Sequence, residues 1–187
     1  TNFSYMFKNS NYNNANESLS YFGSHFRIDG TFIDLTGMFM NAILFNQDIT
    51  YWNTNYVTNM SHMFDGALAF DKKISIDVSW IIINCTNFSY MFANTSYNNS
   101  SLSNFGTQFS DIKHIDLTAM FMDNQLFNVD ISSWNVKMVT NMSNMFSGAS
   151  VFNQDISSWN TNNVKNMSYM FSRAINFNYS FAYNQTN

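Results

Sequence analysis

The dipeptide Met-Phe recurs seven times in this chain, and the residues around it recur with it. Counted from the Met, position −4 is Asn or Asp, position −3 is Phe, Leu or Met, and position −2 is Ser or Thr in every copy, whereas position −1 varies freely. Periods of 25 to 32 residues indicate a unit that buries its apolar face by packing on the next copy. The methionines are Met6, Met38, Met63, Met91, Met120, Met145 and Met170.

Other residues recur at fixed distances from the same methionines. Phe occupies position +7 in five copies, Asp-Ile follows at +10 and +11 in three, and a Trp precedes the next Met by eleven residues in four. The heptapeptide 1–7 returns unchanged at 86–92, which indicates duplication of a larger block. Residues 1–187 are therefore interpreted as one repeat domain and, because the chain opens inside a repeat, as a fragment of a longer array. The tryptophans are Trp52, Trp80, Trp134 and Trp159.

Local patterns predict the structure of each copy. In Val-x-Asn-Met-Ser-x-Met-Phe the apolar residues fall at i, i+3, i+6 and i+7, which predicts a helix of about two turns that begins at the Asn or Asp. Gly66 and Gly148 are suitable residues to end that helix. The alternation in Asp-Ile-Ser predicts a short strand with its Ile turned inward. The sequence therefore predicts an α/β repeat solenoid of about seven coils, each with a short parallel strand and a short helix.

Charge and composition narrow the classes of function. Charged residues make up 11% of the chain and the net charge is −4, with no basic cluster of the kind that binds nucleic acid or anionic membrane surfaces. No apolar run approaches the roughly 20 residues that span a bilayer, so direct membrane insertion of this segment is not expected. The sequence offers no nucleophile triad, phosphate loop or metal cluster, and we therefore predict no enzyme, no catalytic residue and no bound cofactor.

Several columns of the repeat are candidate sites. The Asn/Asp column is interpreted as a structural ladder whose side chains bond one another along the solenoid axis and also bond backbone N–H groups at each turn: Asn2, Asp34, Asn59, Asn87, Asp116, Asn141 and Asn166. The variable column at −1 is the candidate binding face, with Tyr5, His62, Tyr90, Asn144 and Tyr169 as its polar and aromatic members. The alternative, which we favour for the tyrosines, is that they are exposed rings tolerated on a surface of low charge. The Met-Phe pairs and the tryptophans are interpreted as interior packing rather than as a ligand-binding aromatic face.

Three aspartates offer one metal hypothesis. Asp48, Asp130 and Asp155 each precede an Ile and a Ser or Thr, and on a sheet face the last two would lie about 5 Å apart. Carboxylates this close repel unless they are hydrogen-bonded, which we favour, neutralised, or bridged by a cation such as Ca²⁺. Cys85 takes the place of Val at position −6 and is predicted to be a buried apolar residue. The three histidines share no metal-ligand spacing and are interpreted as structural: His25, His62 and His114.

The string Val-Thr-Asn-Met-Ser-x-Met-Phe-x-Gly-Ala-x-x-Phe-Asn-Gln-Asp-Ile-Ser-x-Trp resembles the 25–26-residue repeat of bacterial surface proteins. That repeat is related to the BspA-like leucine-rich repeats and is abundant in mycoplasma surface lipoproteins. The resemblance covers nearly the whole chain and is closest at 45–66 and 120–171. It implies a leucine-rich-repeat-like solenoid at the cell surface or secreted, used in adhesion or host interaction.

Two functions follow as expectations. The first is a non-enzymatic surface protein that presents an extended face to a host or cell-surface protein or a glycan. The second is a self-assembling coat, spacer or filament unit, since the terminal coils, one of them ending near Phe181-Ala182-Tyr183, would expose core residues that stacking would bury.

Overall fold

The computed structural model describes residues 1–13, 19–26, 31–74, 80–111 and 113–180. In these ranges the regular elements are short. Three 3₁₀ helices span Leu19–Tyr21, Gly23–His25 and Ser100–Gln108. Strands β1 (Ile33–Asp34) and β2 (Val57–Asn59) form one parallel pair, and β3 (Ile115–Asp116) and β4 (Val139–Asn141) form another. In register, Ile33 faces Val57 and Ile115 faces Val139.

The predicted fold class is wrong. The described ranges contain no α-helix and only four short strands in two two-stranded sheets, so the leucine-rich-repeat-like solenoid of about seven coils, each with its own strand and helix, is not seen. The Asp-Ile-Ser stretches hold no strand either, although Ile49, Ile131 and Ile156 are buried as expected. Strands β2 and β4 instead cover Val-Thr-Asn, at positions −6 to −4.

Consecutive turns replace the predicted helix. We call positions −4 to +4 around each Met a motif segment. In every motif segment the N–H at the Met bonds the carbonyl at −3, and the N–H at +2 bonds the carbonyl at −1. The residues at −1 and +3 all have positive φ, between 51° and 75°. An α-helix cannot contain such residues, because its backbone is right-handed throughout. The helix-like spacing of apolar residues therefore arises from a series of turns.

Four other N–H groups of each of the first six segments bond the next copy along the chain. In the first six segments the N–H groups at −3, −1, +1 and +3 donate to carbonyls at −4, −2, 0 and +2 of the following segment. In the second segment, for example, Gly37 donates to the Ser61 carbonyl at 2.7 Å and Phe39 to the Met63 carbonyl at 2.9 Å. Isolated parallel bridges join the four neighbouring pairs of Asn/Asp residues that the two sheets do not pair. The motif segments thus form one continuous parallel ladder.

Aromatic rings fill the interior along this ladder. The Phe of each Met-Phe pair stacks on its counterpart in the next segment, with centroid separations between 5.4 and 5.9 Å. The Phe at +7 extends the stack; Phe39 and Phe45, for instance, are 3.8 Å apart. The tryptophans are buried, and each indole N–H donates to a carbonyl of the preceding copy. The Met-Phe pairs of the second to sixth segments and the tryptophans therefore form the core, as the sequence predicts.

Candidate binding face

The residues at position −1 lie side by side along the ladder, and we call this set the variable row. Its members are Tyr5, Gly37, His62, Tyr90, Ala119, Asn144 and Tyr169. All seven adopt the left-handed conformation, with φ between 51° and 57°. Each is the third of the four residues in the turn that ends at the Met, the position that has positive φ in type II turns. The backbone therefore holds every member of the row in the same way, whatever its side chain.

A second row with positive φ, at position +3, provides an internal comparison. Its members are the residues that adopt this conformation most readily, apart from one arginine: Asn9, Asn41, Gly66, Asn94, Asp123, Gly148 and Arg173. The variable row instead holds three tyrosines and an alanine, for which positive φ is uncommon, and one histidine. Backbone conformation therefore explains the residue types at +3 but not those at −1.

The rings of the variable row are largely on the surface. Tyr169 is 72% exposed and Tyr5 is 47% exposed. The Tyr5 ring covers Gly37, where a Cβ atom would lie 2.4 Å from a ring carbon, and the Lys8 ammonium lies 4.9 Å from the ring centroid. Since these two tyrosines are exposed, burial in the core does not explain their presence.

Two further rings of the row stack on each other near the middle of the ladder. The centroids of His62 and Tyr90 are 4.5 Å apart with the rings nearly parallel. His62 Nδ1 lies 2.9 Å from Asp65 Oδ2, and Asn94 donates to the other oxygen of the same carboxylate at 2.8 Å. These contacts fix the orientation of the His62 ring, so that the pair presents a rigid, half-buried aromatic surface.

The Asn/Asp column behaves as predicted in one respect. In all seven segments the side-chain Oδ1 accepts a hydrogen bond from the backbone N–H two residues later, at 2.7 to 3.1 Å. These bonds run within each segment rather than from one side chain to the next along the ladder, and the structure they close is a turn rather than a helix. The column is therefore a set of local caps.

The aspartates of the calcium hypothesis are exposed and lie in loops. Asp48, Asp130 and Asp155 each accept a bond from the backbone N–H two residues later, at 2.9 to 3.0 Å. Hydrogen bonds from Ser132, backbone first, hold the pKa of Asp130 below its usual value, and the hydroxyl and N–H of Ser157 do the same for Asp155. Both carboxylates are therefore ionised at neutral pH.

Asp130 and Asp155 line one cleft of about 270 Å³, together with Ser132, Gln154, Ser157, Ser158 and Tyr179. Asp48 belongs to an earlier copy and does not line it. Across the described ranges, no three His, Cys, Asp or Glu side chains are grouped so as to hold a metal ion. The cleft thus offers ionised acceptors and hydroxyl groups, but neither carboxyl group is set up as a proton donor.

Cys85 is fully buried, which confirms its interpretation as a small apolar residue, and burial raises the pKa of its thiol. His114 is exposed. The side chain of His25 and the stretch at Phe181-Ala182-Tyr183 lie outside the described residues. Within the described ranges no helix is both long and apolar enough to cross a membrane.

Sequence reasoning missed an asparagine ladder and a cross-copy ion pair. The Asn of the recurring Phe-Asn pair accepts a bond from a backbone N–H of the next copy, as Asn128 does from Asn153 at 2.9 Å. The recurrence of Phe-Asn was the available signal. Arg173 reaches Asp123 at 3.0 Å, two segments away, across Gly148, where a Cβ atom would lie 2.0 Å from the Asp123 carboxylate. No periodicity indicated this pair.

Comparison with known proteins identifies a family but no function. No curated protein and no solved structure matches the chain. One family model matches residues 1–115 and again residues 108–187, so that the two matches together span the chain. The chain belongs to the family described as Mycoplasma protein of unknown function, DUF285.

Proposed function

We propose that this chain is a non-enzymatic protein of the cell surface or extracellular space that binds an extended protein or glycan ligand along the variable row. The observation that carries the proposal is the choice of residue at −1. Tyrosine occupies three of the seven positions, all of which have positive φ, at a conformational cost of order 1 kcal/mol each. Strain that neither the backbone nor the core explains is a reason to look for function.

The chemistry of the row suits binding. Tyrosine offers a flat apolar face and a hydroxyl, with few rotatable bonds to immobilise, and it is enriched where proteins bind ligands. Successive members lie one segment apart on one side of the ladder, so an elongated ligand would contact several at once. The family's mycoplasma origin and the resemblance to repeats of mycoplasma surface lipoproteins support a role in adhesion or host interaction.

The test compares two multiple variants on a glycan array and on a panel of immobilised extracellular matrix proteins. The row variant carries Tyr5→Asn, His62→Asn, Tyr90→Asn and Tyr169→Asn, because Asn144 shows that asparagine fits this conformation. The control carries Tyr21→Asn, Phe32→Asn and Tyr51→Asn, which remove exposed rings elsewhere. We expect the row variant alone to lose at least tenfold in binding, with no loss of thermal stability. Equal binding by all three proteins would refute the proposal.

A second candidate, a self-assembling structural unit, is favoured by one observation. Met6 of the first segment is 51% exposed, whereas Met38, Met63, Met91 and Met120 are fully buried. Stacking of another chain on the first segment would bury this side chain. Light scattering after size-exclusion chromatography, over a hundredfold range of concentration, tests this candidate, and a constant monomer mass would exclude it.

A further inference from the structure

Asp65 carries a buried carboxylate next to the variable row. It lies at position +2 of the third segment and is the only acidic residue at that position in the seven segments. Its side chain is 9% exposed, and its two oxygens bond His62 Nδ1 at 2.9 Å and Asn94 Nδ2 at 2.8 Å. Among the described residues, no lysine or arginine lies within ion-pair distance of it. Because a buried carboxylate is costly unless it is paired, its positive partner is either a protonated His62 or a ligand.

The bond to Asp65 determines which nitrogen of His62 carries a proton. A carboxylate only accepts, so Nδ1 donates, and a neutral His62 is left with Nε2 as an acceptor. The carboxylate also raises the basicity of that nitrogen. The side chain is 31% exposed, and among the described residues Nε2 has no hydrogen-bond partner. His62 therefore offers an acceptor on the binding face, and Asp65 fixes its orientation.

An aromatic ring lies directly beside this acceptor. The rings of His62 and Tyr90 are stacked, with an interplanar angle of 6°. The first segment shows how a cation is held at the equivalent positions: Lys8 at +2 places its ammonium group 4.9 Å from the ring centroid of Tyr5 at −1, an attractive arrangement. The third segment has the rings but an aspartate in place of that lysine.

Few other ionisable groups surround His62. The second, third and fourth motif segments contain four ionisable side chains in all: Asp34, His62, Asp65 and Tyr90. Asp34 lies at −4 and accepts from the backbone N–H of Thr36 at 2.8 Å, so its carboxylate is bonded within its own turn. Asp65 is therefore the ionisable group that bonds His62, and the neighbouring segments supply no cation to either residue.

We propose that His62, Asp65 and Tyr90 form a subsite for one lysine or arginine side chain of a protein ligand. The ammonium or guanidinium group donates to Nε2, its charge offsets that of Asp65, and it packs against the aromatic pair. A sugar hydroxyl could also donate to Nε2, but it carries no charge to offset the carboxylate. The proposal rests on the proposed function, because it names the ligand group that one part of the variable row takes.

Binding at this subsite depends on pH. A protonated His62 carries an N–H on both nitrogens, so Nε2 no longer accepts. The positive ring also repels the incoming cation and already offsets the charge of Asp65. The neutral form is therefore the binding form, and the affinity for a basic group falls as the pH is lowered and His62 gains its second proton.

The test uses the 187-residue chain and a rhodamine-labelled octapeptide in which arginine alternates with serine, at physiological salt. The comparison peptide has citrulline in place of arginine, which keeps the shape and removes the charge. Fluorescence anisotropy at pH 8 should show about tenfold tighter binding of the arginine peptide. At pH 5.5, where arginine keeps its charge, the affinity for this peptide should fall about five- to tenfold.

Two substitutions with the same change in charge separate the subsite from general attraction. Asp65→Asn and Asp71→Asn each remove one negative charge, and Asp71 is exposed and lies outside the motif segments. At pH 8 the first should weaken binding of the arginine peptide about fivefold or more, and the second by less than about twofold. His62→Asn should weaken it about tenfold and abolish its pH dependence. Thermal midpoints verify that each variant is folded, and the pH comparison in the native chain requires no substitution.

The proposal is overturned by equal binding of the two peptides, by an affinity that does not fall at pH 5.5, or by equal effects of Asp65→Asn and Asp71→Asn. It is also overturned if His62→Asn lowers binding of an uncharged glycan on the array and leaves the arginine peptide unaffected, because the subsite would then take a hydroxyl group. In each of these cases, loss of array binding by the row variant would still support the proposed function. Conversely, peptide binding that depends on His62, with array binding unchanged in the row variant, would support the subsite and refute the proposed function.

Discussion

The side chain of the Asn or Asp at position −4 bonds the backbone N–H at −2, which receives no backbone carbonyl. From −3 to +3, in the first six segments, N–H groups bond either the next segment or a turn of their own, with the exception of the group at −2. That group bonds the Oδ1 of the residue two positions before it, as Ser89 does with Asn87 at 3.0 Å. A short side chain with a planar oxygen is suited to this distance, which explains why Asn and Asp alone occupy the column.

Substitution within this column tests the role of the cap. Asn87→Ala removes the acceptor of both the N–H and the hydroxyl of Ser89, and we expect it to lower the free energy of unfolding by about 1–2 kcal/mol. Asn87→Asp keeps the oxygen, as Asp34 and Asp116 do in the native chain, and should change stability by less than about 0.5 kcal/mol at pH 7. Urea denaturation measures both, and similar losses for the two variants would contradict the capping role.

The exposed aspartates give a prediction for pH. Hydrogen bonds lower the folded-state pKa of Asp130 and Asp155, so their contribution to stability is complete above the unfolded-state pKa of about 4 and is lost as the pH falls through the lower, folded values. Carboxyl ¹³C NMR titration should give both midpoints below the usual value. Ser157→Ala should move the Asp155 midpoint upward and leave that of Asp130 nearly unchanged. An unshifted Asp155 in the native chain would contradict the assignment.

At the scale of the element, the sequence predicted which residues are buried but not the backbone that buries them. Turns with positive φ at −1 and +3 bring positions −3, 0 and +1 to the interior, and a two-turn helix would bury the same positions. Asn, Asp and Gly at +3 are typical of left-handed backbone and could have indicated it from the sequence. The aromatic residues at −1 gave no such indication, so the other turn was not predicted. The ion pair between Arg173 and Asp123 depends on contacts two segments apart, which local spacing cannot reveal.

The 3₁₀ helix Ser100–Gln108 passes so close to a tryptophan that it requires glycine at one point. A Cβ atom on Gly106 would lie 2.3 Å from the Trp134 ring, and the Gly106 carbonyl accepts from Asn135 at 3.0 Å. We expect Gly106→Ala to lower the free energy of unfolding by about 1–3 kcal/mol through overpacking. When Trp134→Leu is also present, Gly106→Ala should lower the free energy of unfolding by less than it does in the native chain. Additive effects in this cycle, measured by urea denaturation, would mean that the ring does not impose the glycine.

At the scale of the whole molecule, each segment contacts mainly its two neighbours along the ladder. The same four backbone bonds and the same stacked rings recur at every junction, so stability should be distributed as a sum of segment and junction contributions. The first and seventh segments have one neighbouring segment each among the described residues. This arrangement predicts that a destabilising substitution in a central segment lowers the stability of the segments on both sides of it. A substitution in the first segment should lower the stability of the second segment alone.

Two matched substitutions at position +1 test this distribution. Phe92 is fully buried and stacks on Phe64 at 5.6 Å and Phe121 at 5.9 Å, whereas Phe7 is half-buried and has a single neighbouring segment, through Phe39. Phe92→Ala should cost about 3–5 kcal/mol and Phe7→Ala clearly less. In amide hydrogen exchange, the central variant should lose protection in the third, fourth and fifth segments together, and the Phe7 variant in the first and second. If both variants lose protection only in the substituted segment, the junctions do not couple neighbouring copies. If protection falls uniformly throughout the chain, the protein unfolds as a single cooperative unit.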